Sequence, residues 1–469
     1  MRAEEAYVLS KKYTDDQMIG AGNVTGVKGD AEEEYRAGTV NLTPANIGAY
    51  SKQEIDNQNA NVQRQIGAIE SEIKEIETII GKGDFTYEQI SEIVTSGNAE
   101  KYFSIGDVIN VDYTDANNTK YTLPFDVVHF ADVELENGDI VPGMFIQSHY
   151  AMEAVQFDQN EGFYVVPTGG LTAGTYNITM GNNWGTNVVS GKQYDFTLTE
   201  SYAEGDILQL GTASSEVSAL PDTAPANWRV RTYKKDGTTP ASMAASPTEI
   251  VTLTEGTSGT SLGTLSSSTL YGTSGMNNMQ RSGYGYNRWS QSALRQRLNS
   301  AAAAGSWWTA QNPYDRRPNE LATLRGFMAG FDEAFLNIIK PVKVVTVLNT
   351  VSDTQIGASD VTYDTFFPAS LEQEYIVPQV SGVEGEYWEY WKERLGLDSP
   401  QEQGSGGTNA AHIRYGYNAK TTAQNCRLRS ASRGNASYTW YVTTSGYAYN
   451  YYNYFATSSY RCAPACVIC

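Results

Sequence analysis

The sequence predicts an α+β protein in which an extended N-terminal arm and a helical stalk precede a strand-rich C-terminal region. Three observations support this fold class. Apolar residues recur at heptad spacing between residues 51 and 81, short alternating segments follow from Ile105, and two helical stretches lie beyond Arg281. A chain of 469 residues is too long for one continuous core, so we expect several domains.

The heptad segment carries isoleucine or valine at regular core positions. These are Ile55, Val62, Ile66, Ile69, Ile73, Ile76 and Ile80, with Asn59 at the missing core position. Such repetition favours a coiled coil over a single amphipathic helix packed on a domain. Isoleucine at both core positions favours trimers or higher oligomers, and a core asparagine fixes the register. We predict a homotrimeric stalk over residues 51–81, about 39 Å long at 1.5 Å per residue, ended by Gly81-Lys82-Gly83.

Alternating segments between turn residues predict strands in three parts of the chain. Residues 82–160 hold a short helix and then GDVINVDY, LPFDVVHF and DIVPGMFIQ. Residues 161–280 hold QYDFTLTE, DILQL and NWRVRTYK and predict a β-rich insertion, in which Thr254 to Asn278 forms a mobile Gly/Ser/Thr-rich loop. Residues 281–469 hold the strands VKVVTVL, HIRYGY, CRLRSAS, YTWYVT and APACVI.

Two helices are predicted in this last part. One carries an apolar stripe from Trp289 to Leu298, and the other runs from Leu324 to Ile339, where Pro341 stops it. Helices combined with many short strands and buried tryptophans indicate a rigid scaffold that carries binding loops.

The stretch GYAYNYYNYF, from Gly446 to Phe455, has a composition typical of contact surfaces. Five of its ten residues are tyrosine and two are asparagine. Because a buried phenol needs a hydrogen-bond partner, most of these side chains are expected to keep one end in water. Tyrosine supplies rigid contact area, and asparagine and serine supply adaptable hydrogen bonds. We predict a displayed binding face. The alternative is a tyrosine-rich strand packed on a neighbouring subunit.

Charge and composition limit the partners. A net charge of −20 argues against nucleic acid, which needs a basic surface. Only 18% of residues are charged, as in extracellular or virion β-rich proteins. The stretch from Gln403 to Cys469 has no carboxylate side chain and could bind an anionic cell-surface polymer. More often, such an uneven distribution of charge only reflects the positions of structural carboxylates in the chain. No signal peptide or membrane span is recognisable, so we expect neither membrane insertion nor the usual export route.

Enzyme activity is not expected. The histidines His129, His149 and His412 show no pairing of a base with a nucleophile, and His412, at a strand start, is predicted to be structural. Four acidic residues could supply a glycosidase pair, but such clusters in an acidic chain are usually solvated. They are Asp360, Asp364, Glu372 and Glu374.

The four cysteines are predicted to be small buried thiols, with a zinc site or a disulfide as the alternatives. They are Cys426, Cys462, Cys466 and Cys469. We therefore expect no catalytic residue, no metal and no cofactor.

Several segments together resemble a domain that is common in gut-bacterial and phage proteins and is related to the C-type-lectin fold. The similar segments are YGYNRWSQSALRQRLNS, LRGFMAGFDEAFL, FFPASLEQEY, CRLRSAS and APACVI, and GDVINV and PFDVVHF resemble the beginning of that domain. The resemblance implies a C-type-lectin-like C-terminal domain made of residues 82–160 and 281–469, with residues 161–280 inserted. The calcium and sugar signatures of animal C-type lectins are absent, so no calcium-dependent carbohydrate site is implied.

Residues 425–460 also resemble the variable region of retroelement-diversified proteins such as the phage major tropism determinant. In that group, adenine-directed mutagenesis places Asn, Tyr and Ser on the binding face. For this chain the resemblance implies that Trp440 and Arg461 to Val467 form the scaffold. The implied ligand-binding residues are Asn425, Arg427, Arg429, Asn435, Ser437, Tyr438, Tyr441, Tyr447, Tyr449, Asn450, Tyr451, Tyr452, Asn453 and Tyr454.

The segment LTPANIGAYSKQEID resembles a part of phage tail-fibre proteins that precedes a trimeric stalk. The resemblances imply a phage tail-fibre or receptor-binding protein, made in the bacterial cytoplasm and carried on the virion. Residues 1–50 would attach to other virion proteins, and the C-terminal domain would bind a host surface protein or glycan. A head-fibre or decoration protein and a polysaccharide depolymerase are the alternatives.

Overall fold

The computed structural model describes eleven parts of the chain. They are residues 33–34, 50, 52–79, 85–159, 163–180, 191–212, 228–265, 279–280, 285–350, 358–450 and 455–469. Two compact units are distinguished, Met1–Gly81 and Lys82–Cys469. The predicted N-terminal arm lies almost wholly outside the described residues, and so do the glycines predicted to end the stalk.

Helix α1, Lys52–Ile79, lies in the first unit and confirms the helix predicted there. Four of its apolar core-position side chains are solvent-exposed, by 37, 50, 42 and 55%. They are Ile55, Val62, Ile66 and Ile69. An amphipathic helix normally buries such a stripe against another element. The stripe therefore suits a partner helix, and the coiled coil itself stays a prediction.

The second unit is a mixture of short helices and many strands. The helices are α2 (Tyr87–Thr95), α3 (Ala99–Tyr102), α4 (Ala293–Leu298), α5 (Glu333–Ile338) and α6 (Glu389–Leu395). Single turns of 3₁₀ helix occur at Trp289–Gln291, Asn319–Ala322, Phe327–Gly330, Ser405–Gly407 and Ala410–His412.

The strands in the first half of this unit are β1 (Val108–Thr114), β2 (Lys120–Glu134), β3 (Ile140–Ser148), β4 (Val155–Gln156), β5 (Phe163–Val165), β6 (Gly174–Met180), β7 (Gln193–Leu198), β8 (Ile207–Thr212), β9 (Trp228–Tyr233), β10 (Ile250–Thr252), β11 (Thr254–Glu255), β12 (Thr260–Leu265) and β13 (Met279–Gln280). Those in the second half are β14 (Val342–Val347), β15 (Ser359–Asp364), β16 (Phe367–Pro368), β17 (Arg414–Gly416), β18 (Ala419–Gln424), β19 (Cys426–Ala431), β20 (Thr439–Val442), β21 (Ala448–Tyr449), β22 (Ser459–Tyr460) and β23 (Pro464–Ile468).

A five-stranded antiparallel sheet joins the beginning and the end of the second unit. Its strand order is β1-β2-β3-β23-β16, and Cys466 of β23 lies opposite Ile146 of β3. Strand β1 alternates exposed and buried side chains, as the two-residue period of a strand requires. The strands predicted in GDVINVDY, LPFDVVHF, DIVPGMFIQ and APACVI are thereby confirmed.

The stretch predicted as one helix from Leu324 to Ile339 is instead a 3₁₀ turn followed by α5. Between them, Phe331 forms a backbone bridge to Tyr113 of β1. The Asp332 carboxylate then accepts a 2.8 Å hydrogen bond from the Phe335 amide and caps α5. The prediction of a continuous helix is wrong because the backbone of Phe331 pairs with Tyr113, in a strand distant in sequence, and does not continue a helix.

Strands β5 to β13 form two sheets around a hydrophobic cluster of their own. Their orders are β10-β9-β8-β5-β13 and β11-β7-β6-β12. The cluster includes Tyr194, Phe196, Leu210 and Val230. The strands predicted in QYDFTLTE, DILQL and NWRVRTYK are confirmed as β7, β8 and β9.

Strands β11 and β12 correct the prediction that Thr254 to Asn278 is a mobile loop. The Asp195 carboxylate accepts hydrogen bonds from the amides of Ser258 and Gly259, at 2.9 and 3.2 Å, and from the Ser258 hydroxyl. Asn177 donates to the same carboxylate at 2.7 Å. These bonds fix the turn between β11 and β12, so the loop prediction is wrong up to residue 265. Residues 266–278 lie outside the described part.

Candidate ligand-binding face of the C-terminal tail

The candidate face is built on the three-stranded antiparallel sheet β19-β20-β21. Every residue of β19 and β20 is buried, whereas β21 is an edge strand with a partly exposed Tyr449. The turn before β21 needs glycine, because Gly446 has a φ of +79° and an added Cβ would lie 1.9 Å from the Asn409 carbonyl oxygen. This sheet confirms the strands predicted in CRLRSAS and YTWYVT.

Arg427 and Arg429 lie in the core beneath the tail, each 1% exposed. Arg427 donates to the Ser458 and Phe455 carbonyls, at 2.7 and 3.2 Å, and to the Thr439 hydroxyl. Arg429 donates to the Pro368 carbonyl at 3.1 Å. Burial lowers the pKa of both guanidinium groups to about 10. These arginines tie distant loops to β19.

Tyr441 and Ser437 are also buried, each 1% exposed. The Tyr441 ring stacks on Tyr460, with centroids 6.1 Å apart and planes 7° apart. Ser437 donates its hydroxyl to the Asn435 side-chain oxygen at 2.7 Å. Together with the two arginines, these residues belong to the scaffold and not to a displayed face. For the arginines and Tyr441 the reason is that β19 and β20 are covered on both faces, which the composition of the tail does not reveal.

Six of the other predicted ligand-binding residues keep part of their surface in solvent. They are Asn425, Asn435, Tyr438, Tyr447, Tyr449 and Asn450. The Tyr447 and Tyr449 rings contact edge to face, with centroids 5.8 Å apart at 80°. Asn450 donates to the Ser432 hydroxyl at 3.1 Å. The structure thus brings two partly accessible aromatic rings together, and Asn450, which follows Tyr449 in the chain, is partly accessible as well.

The tail also contains the predicted ligand-binding segment 451–454 and the predicted scaffold residue Trp440. Residues 451–454, with Tyr451, Tyr452, Asn453 and Tyr454, lie outside the described residues. Trp440, predicted to be scaffold, is 3% exposed and packs with Leu371, Ile376 and Leu428.

Asn287 is a support residue that the sequence did not identify. It is fully buried, and its side-chain amide donates to the carbonyl oxygens of Ser432, Asn435 and Tyr438, at 3.1, 2.7 and 2.7 Å. One amide group thereby holds the turn between β19 and β20. A single asparagine far from the tail offers no local pattern, since its role depends wholly on tertiary contacts.

The four cysteines are buried and unbridged, which confirms the prediction of buried thiols. Burial raises the pKa of each thiol, to about 12 for Cys462 and about 11 for Cys469. Reactive cysteines have a lowered pKa and access to solvent. The thiols here have the opposite properties and act as packing groups.

Three of the histidine and carboxylate candidates, His412, Asp360 and Asp364, are engaged in structural contacts. His412 is fully buried with Nδ1 2.9 Å from the Gln401 side-chain oxygen, and burial lowers its pKa to about 3. Asp364 accepts from Trp289 Nε1 at 2.9 Å and from Arg295 Nε at 2.6 Å. Asp360 pairs with Arg288 at 2.6 Å.

The expectation that these carboxylates are solvated is wrong for three of them. Asp364, Glu372 and Glu374 are buried, because basic or amide groups from other elements cover them. Within the described ranges, no group of three or more His, Cys, Asp and Glu residues could hold a metal ion.

Comparison with known proteins gives one match. A family model described as "Domain of unknown function (DUF6273)" matches residues 264–468, less than half of the chain. No curated protein and no solved structure matches. In the part of the chain that the structure describes, no helix is long and apolar enough to cross a membrane. The matched segment shares sheets with preceding residues, because β23 pairs with β3 and β22 pairs with β4. The chain is thus similar to a family of unknown function over a segment that pairs with strands outside the match.

Proposed function

We propose that the chain is a phage virion receptor-binding protein, a tail fibre, whose C-terminal tail binds a ligand on the host cell surface. The observation that carries the proposal is the edge-to-face contact between the rings of Tyr447 and Tyr449, both of which are partly exposed. Tyr449 lies on the edge strand β21, and Asn450, also partly exposed, follows it in the chain. Paired tyrosines with neighbouring amide groups form contact surfaces that combine apolar area with hydrogen bonding.

The scaffold under this face favours binding because buried hydrogen bonds and strand pairing hold it in place. Tyr449 lies opposite the buried Tyr441, and Arg427 and Asn287 bind the neighbouring loops by buried hydrogen bonds. A surface that is already ordered loses less conformational entropy when it binds. The tyrosines can vary in such an arrangement while the buried residues keep the fold, which suits the proposed retroelement diversification of residues 425–460.

If α1 joins several chains, weak contacts at each binding face would be sufficient for attachment to the host cell. The exposed apolar stripe of α1 fits a homotrimeric coiled coil, and linked binding sites gain affinity through effective concentration. Residues 1–50 would attach the trimer to other virion proteins. Because residues 403–469 contain no carboxylate, the face would accept a neutral or anionic glycan or a host surface protein.

The experiment is adsorption of the purified protein to candidate host cells. The test variant carries Tyr447→Ser and Tyr449→Ser, and the matched control is Tyr415→Ser, which removes a tyrosine that is 39% exposed outside residues 425–460. We expect the test variant to lose adsorption with an unchanged melting temperature and the control to adsorb normally. Normal adsorption with a lowered melting temperature would show that the pair is packing and would favour a decoration protein.

A further inference from the structure

A cleft of about 380 Å³ lies apart from the tyrosines of the tail. Strands β2, β3 and β14 and the segment 383–388 contribute to its lining. Binding clefts commonly combine an apolar wall with a few well-placed polar groups. This cleft has both, and the proposed receptor-binding face does not account for it.

Two residues of the lining have buried polar atoms without a hydrogen-bond partner, Arg429 at Nε and His129 at both ring nitrogens, and His129 is the one that can accept. The residue is 8% exposed, and neither ring nitrogen has a hydrogen-bond partner in the structure. Its Nε2 lies 3.7 Å from a carboxylate oxygen of Glu386, beyond hydrogen-bonding distance. The Glu386 side chain is 85% exposed and can rotate without disturbing packing. An unsatisfied buried polar group carries a desolvation penalty, so a ligand that satisfies the imidazole is favoured.

The charge of the cleft is negative. Among the described residues, neither Asp132 nor Glu386 pairs with a lysine or an arginine. Lys343 is held by Glu134 at 2.7 Å, and the Arg429 guanidinium donates to groups in the core. An anionic ligand would therefore be repelled, whereas a cationic ligand would be attracted.

The imidazole is suited to accept a hydrogen bond. Burial lowers the pKa of His129, against the opposite effect of Glu389 and Glu386, so the ring is neutral at pH 7. A neutral imidazole has one nitrogen with a free lone pair. Beside it, the half-buried Phe145 ring lies 5.8 Å from the imidazole, and Ile140, 62% exposed, forms part of the rim.

We propose that this cleft binds a small organic ammonium ion. Its N–H groups donate to an imidazole nitrogen of His129 and to the Glu386 carboxylate, and its carbon chain packs on Phe145 and Ile140. The negative charge of the cleft favours a cation, and the imidazole nitrogen of His129 favours a hydrogen-bond donor. The apolar rim favours an alkyl group over a hydrated metal ion. Charge-assisted hydrogen bonds of this kind are the stronger ones.

The test is calorimetric titration of the full chain with butylammonium chloride in phosphate buffer, with 1-butanol as the neutral analogue. We expect saturable binding of butylammonium and none of 1-butanol. The Glu386→Gln and His129→Gln variants should bind at least about tenfold more weakly, a factor that corresponds to about 1.4 kcal/mol. Glu333→Gln, an exposed change on α5 outside the lining, is the matched control and should bind like the wild type.

A second readout locates the ligand. The chain has three histidines, so its imidazole carbon-bound proton signals are few, and His129→Gln identifies one of them by its loss. Butylammonium should shift that signal selectively. Equal binding of 1-butanol, no saturable heat, or wild-type affinity in the Glu386→Gln variant would each overturn the proposal. Since Glu386 is exposed, that variant gives a result even if His129→Gln fails to fold.

Discussion

Tyr441 lies opposite Tyr449 on the neighbouring strands β20 and β21, and their rings contact at 6.3 Å and 77°. The first residue is 1% exposed, and the second is partly exposed. The boundary between scaffold and candidate face therefore runs between two tyrosines that look alike in the sequence.

This boundary predicts different effects of the same substitution. Tyr441→Ala should lower the free energy of unfolding by about 3 kcal/mol, because it leaves a cavity in the core. Tyr449→Ala should lower it by less than about 1 kcal/mol, since partly exposed side chains contribute less. Denaturant unfolding followed by tryptophan fluorescence measures both values. Equal losses for the two variants would contradict the assignment of Tyr449 to the face.

The Asp195 turn predicts a defined pH dependence. Hydrogen bonds, first from the Ser258 hydroxyl, lower the pKa of Asp195 from 3.8 to about 2. A carboxyl group with a lowered pKa in the folded state stabilises the fold above its unfolded pKa and loses that contribution as the pH falls through the folded value. The contribution should therefore be complete above about pH 4 and disappear towards pH 2.

The Asp195→Asn variant tests this dependence. It should be less stable than the wild type by about 2 kcal/mol at pH 7, because hydrogen bonds to a charged acceptor are lost. The difference should shrink between pH 4 and pH 2, and thermal melts across that range measure it. Ser261→Ala, a change on β12 away from the carboxylate, is the control. A difference that stays constant with pH would rule out the ionised Asp195 as the cause.

The exposed stripe of α1 predicts that its residues act between chains. Val62→Glu with Ile66→Glu should convert a trimer to a monomer, because charges in a coiled-coil core are strongly unfavourable. The melting of the second unit should not change. Light scattering coupled to size-exclusion chromatography gives the mass. Ala60→Glu with Ala68→Glu adds the same charge outside the seam and should stay trimeric. A trimer in both variants would place the main oligomer contact elsewhere.

Local patterns in the sequence were sufficient for the elements whose residues follow one period. The heptads predict α1, and alternation predicts β1 and β7. Prediction failed where a distant group intervened. Phe331 leaves the helical path to bridge Tyr113, and Asp195 orders the turn at Ser258 within a segment whose composition is typical of a loop.

By itself, the sequence determined the helix with its apolar stripe, the many short strands and the concentration of tyrosine and asparagine near the C-terminus. Only the tertiary structure determined which of those side chains are accessible. Arg427 and Arg429 are charged, yet strands β19 and β20 are covered on both faces and bury them. Likewise, His129 and Glu386 are far apart in the chain and meet at 3.7 Å only after folding. Burial and charge pairing depend on neighbours from distant segments, which no local period encodes.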